Sequence, residues 1–510
     1  MNEPASIAAL LEKGADGAAA IGAPEGVAPL SYRGLRALAR LTVERLNVLG
    51  IGRNDRVAIV LPNGPEMASS FVCIAAGATT APLNPGYRGE ELEFYLGDLG
   101  ARALVIAAGF DSPAREVARK LSIPIVELHP DRARGAGAFT LEPLQPMRGT
   151  PEGTGFGGAD DTALVLHTSG TTSRPKIVPL LQRNVLATAR HIVDTLALTA
   201  DDVCLNIMPL FHIHGLMAAT LSSLAAGAQV CCTPGFNALK FFAWLDEVRP
   251  TWYTAVPTMH QAILARADRN QEILARSRLR FVRSSSASLP PQVMAALEKA
   301  FRAPVIEAYG MTEAAHQMAS NPLPPRPRKP GSVGVAAGPE VAIMDERGSL
   351  LPPGQTGEVV IRGPNVTIGY EANPEANAKA FTNGWFRTGD QGLLDEEGYL
   401  RLTGRLKELI NRGGEKVSPL EVDEVLMDHP AVQQVVTFGM PHAMLGEEVA
   451  AAVVLREGKS VTDRELREFA AARLADCKVP RKFVFLQEIP KGATGKLQRI
   501  GLAAKLGLGS

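Results

Sequence analysis

The chain has 510 residues, enough for at least two folding units and a large hydrophobic core. Apolar residues make up 46% and charged residues 21%, which excludes a disordered or coiled-coil protein. Lysine plus arginine equals aspartate plus glutamate at 53 each, so the charge balance gives no basis for binding nucleic acid or an anionic membrane surface.

The cysteines and the first residues indicate the compartment. Five cysteines form no C-x-x-C pair, and their odd number argues against a disulfide framework. The stretch MNEPASIAALLEKGADG lacks the basic flank and apolar core of a signal peptide, and no run of about 18 apolar residues could span a bilayer. We therefore expect a cytoplasmic protein without a membrane span.

Short apolar runs rich in valine and isoleucine alternate with helical patterns over the first two thirds of the chain. Predicted strands include RVAIVLP at 56–62, ARALVIA at 101–107, TALVLH at 162–167, TWYTAVP at 251–257 and APVIEAYG at 303–310. Helical periodicity lies between them, as in GLRALARLTVERLNVLG and PQVMAALEKAF. This alternation predicts an α/β fold with largely parallel, doubly wound sheets.

The pattern changes from about residue 335. EVAIMDERG, GEVVIRG, WFRTGD and GYLRLTGR indicate short antiparallel strands joined by Gly and Asp turns. The last hundred or so residues carry strand and helix signals of their own, such as VAAAVVLRE and TDRELREFAAARLA. We expect a large N-terminal domain at 1–404, which includes a small antiparallel β subdomain, and a small mobile α+β C-terminal domain at 405–510.

The segment HTSGTTSRPK at 167–176 combines hydroxyls, glycine and two cations after a predicted strand. Backbone N–H groups and hydroxyls in such a loop can converge on an anion, and Lys176 adds a positive charge. The Walker pattern does not fit, because Pro175 precedes the lysine and Ile177 follows it. The structural alternative for this loop alone is a solvated turn.

Seven motifs in chain order resemble those of the adenylate-forming superfamily, which includes acyl-CoA synthetases. They are TSGTTSRPK, PLFHIHGL at 209–216, SSSASLP at 284–290, EAYGMTE at 307–313, WFRTGD at 385–390, GRLKELINRGGEKVSP at 404–419 and PKGATGKLQR at 490–499. The similarity extends from about residue 30 to 500. It implies an enzyme that converts a carboxylate and ATP to acyl-AMP and pyrophosphate, after which CoA displaces AMP.

The resemblance assigns residues to the nucleotide. It implies that the β and γ phosphates are held by Thr168, Ser169, Gly170, Thr171, Thr172 and Lys176. The adenosine side is assigned to Ser286, Ala287, Ser288, Glu307, Ala308, Tyr309, Gly310, Met311 and Thr312, with Tyr309 stacking on adenine. Asp390 is expected to bind the ribose hydroxyls with help from Arg405. The structural alternatives are a core tyrosine and a turn aspartate.

The same resemblance assigns catalysis and CoA binding. Glu313 is expected to bind Mg²⁺, Lys496 to reach the substrate carboxylate and α-phosphate, and Thr172 to assist them. Lys407 occupies the hinge position of a C-terminal domain that rotates between the half-reactions. The loop beside the pantetheine tunnel of CoA is assigned to Arg412, Gly413, Gly414 and Glu415. Without their motifs, Glu313 would be interpreted as a helix-start carboxylate and Lys496 as a surface lysine.

Histidines and serines near the expected acyl pocket suit a short polar anion. WYTAVPTMHQ, RSSSASL and EAYGMTEAAHQMASNPLPPRPRKPGSVG are similar to the oxalate–CoA ligase branch, which holds the distal carboxylate with histidine and serine. The resemblance makes His214, Ser286 and His316 the leading candidates, with His212 nearby. Gly310 departs from the alanine of plant members, and we expect this change to alter the backbone little.

Two other functions share most of these motifs. A medium- or long-chain fatty acyl-CoA synthetase would carry every nucleotide motif and differ in the acyl pocket. A catalytically silent nucleotide-binding relative is the second alternative, although Lys176, Glu313, Asp390, Arg405 and Lys496 are all present. An amino-acid adenylation domain is disfavoured because an aspartate for the substrate amine is missing from the segment that here contains FH.

Overall fold

The computed structural model describes residues 6–147, 149–168, 175–492 and 496–509. Within those ranges a seven-stranded sheet and a nine-stranded sheet form the larger part of the molecule. The seven-stranded sheet contains, in spatial order, Phe139–Pro143, Ile125–Pro130, Ala103–Ala107, Arg56–Val60, Thr79–Pro82, Thr162–His167 and Ile177–Leu181. The nine-stranded sheet contains Val335–Ala336, His316–Ser320, Val305–Met311, Phe281–Ser284, Trp252–Ala255, Val203–Asn206, Gln229–Cys232, Ala19–Gly22 and Leu30–Ser31.

The inner strands of both sheets pair in parallel, whereas the outer pairs are antiparallel. The strand Ala103–Ala107 is almost entirely buried along its length, as expected for a parallel strand covered on both faces. One apolar core joins the two sheets and includes Val57 from one and Trp252 and Phe281 from the other. These observations confirm the doubly wound α/β fold.

Helices cover the sheets and begin where the sequence supplies a start signal. Ser31 caps the helix Tyr32–Val48 by accepting from the backbone N–H of Gly34 at 3.1 Å. Proline occupies the first turn of Pro291–Phe301, which ends at Arg302 in the left-handed region with φ of 53°. The other α-helices before residue 381 are Ile7–Leu10, Pro65–Ala75, Gly89–Leu99, Ala114–Lys120, Gln182–Thr195, Ser222–Ala225, Phe241–Val248, Pro257–Leu264, Gln271–Ala275 and Pro374–Ala380.

Short helices of other types connect these elements. The 3₁₀ helices are Leu11–Lys13, Arg132–Arg134, Ala267–Asn270, Thr312–Ala314 and Asp476–Lys478. A π-helix spans His214–Leu221, a feature that the sequence pattern did not predict. No helix in the described part of the chain is both long enough and apolar enough to cross a bilayer.

The later strands form two smaller sheets. The six-stranded sheet is antiparallel and contains Leu350–Leu351, Glu340–Met344, Gly357–Arg362, Trp385–Leu394, Phe381–Thr382 and Leu400–Arg405. The five-stranded sheet contains Glu415–Val417, Ile410–Arg412, Gly446–Leu455, Val432–His442 and Lys482–Phe485, with the helices Pro419–Met427, Asp463–Ala471 and Leu502–Lys505. These sheets match the expected antiparallel β subdomain and the smaller α+β C-terminal domain.

The smaller C-terminal domain packs against the nine-stranded sheet side of the molecule. Gln434 Nε2 donates to Gln261 Oε1 at 3.0 Å, and Gln292 donates to Asp428. One apolar cluster contains residues from both parts, among them Phe241 and Val432. This placement brings the C-terminal segment with Lys496 next to the larger domain.

Candidate active site

Three parallel strands of the nine-stranded sheet end at the same edge. They end at Ala255, Ser284 and Met311 and are consecutive neighbours in the sheet. The next strand returns antiparallel and pairs His316 with Met311. Since ligands of open α/β sheets bind beyond the carboxyl ends of strands, this edge is the expected place for a site.

The nucleotide candidates Tyr309, Asp390 and Arg405 converge at this edge. The Tyr309 hydroxyl donates to Asp390 Oδ2, and Arg405 Nε donates to Asp390 Oδ1 at 2.9 Å. Asp390 and Arg405 are directly opposite each other on adjacent antiparallel strands. Both carboxylate oxygens are therefore held in place, and each keeps a lone pair that can accept another hydrogen bond.

The other adenosine candidates lie on two neighbouring segments. The loop after strand Phe281–Ser284 carries Ala287 and Ser288, which are both exposed. The strand Val305–Met311 and the turn after it carry Glu307, Ala308, Gly310, Met311 and Thr312. Glu307 and Ala308 are buried beside Tyr309, whereas Ala287 and Ser288 are open to solvent.

Glu307 has a local structural role. Its side chain is 2% exposed, and Oε1 accepts from the backbone N–H of Leu289 at 2.8 Å. Burial raises the pKa of Glu307 to about 8, and Oε2 has no partner among the described residues. The carboxyl group consequently ties the serine-containing loop to the strand Val305–Met311.

The described ends of the predicted phosphate loop close on each other. The N–H of Thr168 donates to the carbonyl of Lys176 at 2.9 Å, and the N–H of Lys176 donates to Thr168 Oγ1 at 3.2 Å. Ser169, Gly170, Thr171 and Thr172 lie outside the described residues, so their predicted contacts stay predictions.

Tyr370 connects Lys176 with Glu313. Its hydroxyl donates to Glu313 Oε1 at 2.8 Å, and the Lys176 ammonium lies 4.2 Å from the centre of its ring. Glu313 is 7% exposed, and burial raises its pKa, whereas burial lowers the pKa of Lys176. Tyr370 thus contacts a cation through its ring and a carboxylate through its hydroxyl.

The donor set is suited to a metal that also binds phosphate. Groups of three or more histidine, cysteine, aspartate or glutamate side chains able to hold a metal ion are absent from the described ranges. Mg²⁺ is commonly bound through one or two carboxylates together with substrate phosphates. The single carboxylate of Glu313, beside the base of the loop at Lys176, fits this mode.

The charge of Lys496 interacts with nucleotide candidates and with the histidines. Its backbone carbonyl accepts from Gly492 N–H at 2.8 Å, which closes the described ends of its loop. Burial, with a smaller effect of the Arg405 charge, lowers the pKa of Lys496 to about 8. Its charge in turn contributes to the lowered pKa values of His214 and His316. Lys496 is therefore within electrostatic reach of both groups.

The acyl-pocket candidates form a compact cluster. The rings of His214 and His316 have centres 5.3 Å apart, and the two side chains are 0% and 1% exposed. His214 Nδ1 lies 3.0 Å from Ser286 Oγ, and the backbone N–H of His214 donates to His212 Nδ1 at 3.2 Å. Burial lowers the pKa of all three histidines, that of His212 to about 3, so they are neutral at pH 7.

The structure distinguishes the four serines of the motif SSSASLP, among which the resemblance favoured Ser286. Ser284 and Ser285 are buried, and Ser285 donates to a backbone carbonyl at 2.9 Å, whereas Ser288 is exposed. Ser286 is half-buried and is the serine that contacts His214. Its φ is +76°, an unusual value for a residue with a side chain. Because of this conformation, Ser286 does not continue the alternation of side-chain directions in the preceding strand.

Position 310 is occupied by glycine where the backbone of His316 approaches closely. A Cβ at position 310 would lie 1.9 Å from the His316 carbonyl oxygen and 3.1 Å from His316 Nδ1. The strand pair is irregular between Tyr309 and Gly310, and His316 has a φ of +121°. The expectation that alanine would alter the backbone little is therefore wrong for this chain, because the close approach leaves no room for a methyl group.

The hinge and CoA candidates lie where the chain passes from the six-stranded to the five-stranded sheet. Lys407 falls between the strands Leu400–Arg405 and Ile410–Arg412. Gly413 and Gly414 have φ of 60° and 95°, which a two-residue hairpin turn requires. Flanking this turn, Arg412 and Glu415 are paired across the hairpin, and Arg412 Nε donates to Glu448 at 2.6 Å.

Sequence reasoning missed three residues of this site. Tyr370 lies at the end of the segment RGPNVTIGY, and Arg283 directly precedes the serine run. Thr254 lies 2.6 Å from His214 Nε2 through its hydroxyl oxygen. No periodicity distinguishes a buried arginine or threonine that faces a histidine from one that faces solvent, so only the structure could identify them.

Known proteins are similar to this chain over most of its length. The family model "AMP-binding enzyme" matches residues 11–371, and "AMP-binding enzyme C-terminal domain" matches residues 421–496. The oxalate–CoA ligase of Arabidopsis thaliana is 47% identical over 470 residues, covering 91% of this chain and 90% of that protein. The oxalate–CoA ligase of Saccharomyces cerevisiae is 43% identical, covering 88% and 86%.

Solved structures show the same fold over nearly the whole chain. MatB from Rhodopseudomonas palustris with ATP bound gives a TM-score of 0.87 at 30% identity, covering 98% of each chain. The apo form of the same protein, with the same coverage and identity, gives 0.78. The arrangement of this chain is thus more similar to the ATP-bound form than to the apo form.

Proposed function

We propose that this chain, which belongs to the AMP-binding enzyme family, joins oxalate to CoA through an acyl-adenylate and releases AMP and pyrophosphate. The cluster of His214, His316 and Ser286 carries the choice of acid. It places two imidazoles and a hydroxyl within electrostatic reach of Lys496. A second carboxylate needs such polar partners because an unpaired buried charge costs several kcal/mol.

The first half-reaction forms the adenylate. A carboxylate oxygen attacks the α-phosphorus, the bond to the β-phosphate oxygen breaks, and pyrophosphate leaves with the electron pair. Lys496 lowers the repulsion between the anionic acid and the triphosphate and orients the attacking carboxylate. Thr172 and the neighbouring loop residues are proposed to hold the β and γ phosphates together with Lys176.

The adenosine is proposed to bind along Tyr309 and Asp390. The Asp390 carboxylate, already oriented by Tyr309 and Arg405, retains lone pairs for two ribose hydroxyls. Glu313 would hold Mg²⁺, which neutralises phosphate charge when bound. Tyr370 orients Glu313 through its hydroxyl, so the carboxylate is directed before the nucleotide arrives.

The second half-reaction requires Lys496 to leave. The thiolate of CoA attacks the acyl carbon, the carbon–oxygen bond to AMP breaks, and oxalyl-CoA forms. We propose domains at 1–404 and 405–510 with a hinge near Lys407, and CoA binding beside Arg412, Gly413, Gly414 and Glu415. The greater similarity to ATP-bound than to apo MatB supports an adenylation arrangement for the present structure.

A reducing, cytoplasmic setting is the proposed location. The five cysteines are free, and four of them are buried. Buried thiols without disulfides are compatible with a compartment in which glutathione keeps cysteines reduced.

A carboxylate panel tests the proposed substrate. AMP release that depends on CoA is measured with oxalate, glyoxylate, glycolate, malonate, acetate and octanoate, and oxalate is expected to give the highest kcat/KM. His316→Ala is expected to raise the KM for oxalate at least tenfold and to leave the KM for ATP nearly unchanged. Thr80→Val, a buried change in the other sheet, serves as the control.

Each outcome of the panel has a definite meaning. Preference for octanoate would establish the fatty acyl-CoA synthetase instead. Absence of pyrophosphate exchange with every acid would support the catalytically silent relative. Unchanged oxalate kinetics in His316→Ala would remove His316 from the acyl pocket.

A further inference from the structure

Arg283 is a buried cation without an acidic partner among the described residues. It lies in the strand Phe281–Ser284 and is 0% exposed. Its hydrogen-bond acceptors are neutral, Thr254 Oγ1 at 3.5 Å and Gln317 Oε1 at 3.4 Å, and its Nε has no partner in the described ranges. Removing a guanidinium from water without an anion is expensive, so the fold alone does not explain this residue.

The orientation of the Gln317 side-chain amide agrees with Arg283 donating to both Gln317 and Thr254. Gln317 Nε2 donates to Thr195 Oγ1 at 3.0 Å and to the carbonyl of Ala337 at 3.1 Å. Its Oε1 is therefore the atom that faces Arg283. Because a guanidinium can only donate, Thr254 Oγ1 must accept from Arg283.

This direction propagates through Thr254 to His214. The Thr254 hydroxyl uses its oxygen for Arg283, and His214 Nε2, at 2.6 Å, is the acceptor left for its hydrogen. His214 Nε2 then accepts, and the proton of the neutral ring resides on Nδ1. The opposite tautomer would leave the buried Thr254 hydroxyl without an acceptor in the described part of the chain, which costs free energy.

The chain of hydrogen bonds ends at the open side of the pocket. His214 Nδ1–H donates to Ser286 Oγ at 3.0 Å. The Ser286 oxygen is thereby engaged as an acceptor, and its own hydrogen stays available to donate. Ser286 is only half-buried, unlike Thr254 and His214, so this hydrogen can point to a ligand at the strand edge.

We propose that Arg283 and Thr254 are positioning residues of the acyl pocket: through His214 they orient the Ser286 hydroxyl as a donor toward the distal carboxylate, and Arg283 supplies buried positive charge for a dianionic acid. The proposal rests on the proposed oxalate activity. One carboxylate of the dianion reacts beside Lys496, and the other enters the field of Arg283. The desolvation cost of Arg283 in the free protein is then offset only when the second carboxylate binds.

The charge of Arg283 is tested with Arg283→Met, which keeps a long apolar side chain in the core. We expect kcat/KM for oxalate to fall about 30-fold, mainly through a higher KM. Roughly this factor corresponds to the attraction between one positive charge and the distal carboxylate across the relay, at an effective dielectric constant of about 20. The kcat/KM for monoanionic glyoxylate should change less than threefold. The selectivity ratio between the two acids reports charge recognition, which a general structural defect would leave unaltered.

The relay is tested with Thr254→Val, which keeps the shape and removes the hydroxyl. We expect a tenfold or larger rise in the KM for oxalate, and Thr254→Ser should restore it. Nitrogen chemical shifts of ¹⁵N-labelled histidine, assigned with His214→Asn, should show an Nδ1–H ring in the wild type and a mixture of tautomers in Thr254→Val. Thr80→Val, which removes a buried strand hydroxyl elsewhere, should change neither measurement.

The results distinguish this proposal from the proposed function. A wild-type protein inactive with oxalate overturns the function and the proposal together. A wild type active with oxalate, whose Arg283→Met variant keeps the ratio of oxalate to glyoxylate, overturns the proposal alone. If Arg283→Met does not fold, two other results would overturn the proposal alone. One is a His214 ring in the wild type with its proton on Nε2, and the other is unchanged oxalate kinetics in Thr254→Val.

Discussion

At the scale of single residues, the site depends on charges taken out of water. Glu313, Arg283 and Lys496 all have pKa values shifted toward the neutral form, and burial is the main cause for each. Buried cations such as Arg283 and Lys496 are ready for an anionic ligand because little water has to be displaced when it binds. For Lys496, the effect of burial on the charge can be measured through the pH dependence of adenylation.

The lowered pKa of Lys496 predicts an alkaline limit for adenylation. The ammonium is lost as pH rises through about 8, so kcat/KM for oxalate-dependent pyrophosphate exchange should fall above pH 8. Lys496→Arg keeps its charge and should move this limb to higher pH. Lys496→Ala should suppress exchange by at least two orders of magnitude while thioester formation from supplied oxalyl-AMP largely survives.

The opposite results would separate the two roles. Loss of both half-reactions in Lys496→Ala would indicate a damaged fold or a lysine that also serves CoA. An alkaline limb unchanged in Lys496→Arg would assign it to another group, such as the thiol of CoA.

At the scale of elements, the strand Val305–Met311 and its return at His316–Ser320 hold the two halves of the site together. Tyr309 contacts Asp390 on the nucleotide side, while His316 faces His214 on the acyl side. The irregular pairing after Tyr309 and the left-handed Ala315 permit this arrangement. Backbone strain of this kind is typical of functional sites.

Gly310→Ala tests this pair of strands. A methyl group 1.9 Å from the His316 carbonyl forces the strands apart, so we expect a lower Tm and a rise in the KM for oxalate. The loss of stability should be about 1–3 kcal/mol, as for other overpacked sites. Gly97→Ala, at a helix position with open space around it, is the control. Unchanged Tm and oxalate KM would show that the strands adjust without cost.

The element scale also shows where sequence reasoning succeeded and where it failed. The predicted strand at 162–167 and the predicted helix at 291–301 have the bounds found in the structure, because their periodicity is clear and turn residues flank them. The π-helix His214–Leu221 was missed because the segment HGLMAATL is buried throughout and has no polar face to reveal a helical period. Ser286, which the resemblance favoured, is the serine that contacts His214, but the left-handed backbone that places it there could not be read from the run of serines.

At the scale of the whole molecule, buried neutral histidines link folding to pH. Burial lowers the pKa of His214, His260 and His316 below the ordinary value of 6.5. The unfolded chain therefore binds more protons below pH 6.5, and the free energy of unfolding falls as pH falls. The stability they provide is present above pH 6.5 and is lost in acid.

This linkage predicts acid sensitivity. Each histidine contributes a slope of up to about 1.4 kcal/mol per pH unit well below pH 6.5, and urea midpoints measured between pH 7 and 5 should decrease accordingly. His260→Gln, which lies outside the proposed pocket, should reduce the slope by about one proton's contribution. A slope that His260→Gln does not alter would contradict the prediction.

The sequence by itself determined the order of strands and helices, the family resemblance and the residues that are candidates for the nucleotide, because these follow from local periodicity and from motifs read along the chain. The tertiary structure decided which polar atoms meet: Tyr370 with Glu313, Ser286 with His214, and Arg283 with Thr254. Hydrogen bonds act over about 3 Å, whereas these partners are 57, 72 and 29 residues apart in the chain. Only the folded backbone sets such distances, so the direction of the hydrogen bonds in the acyl pocket was not contained in any motif.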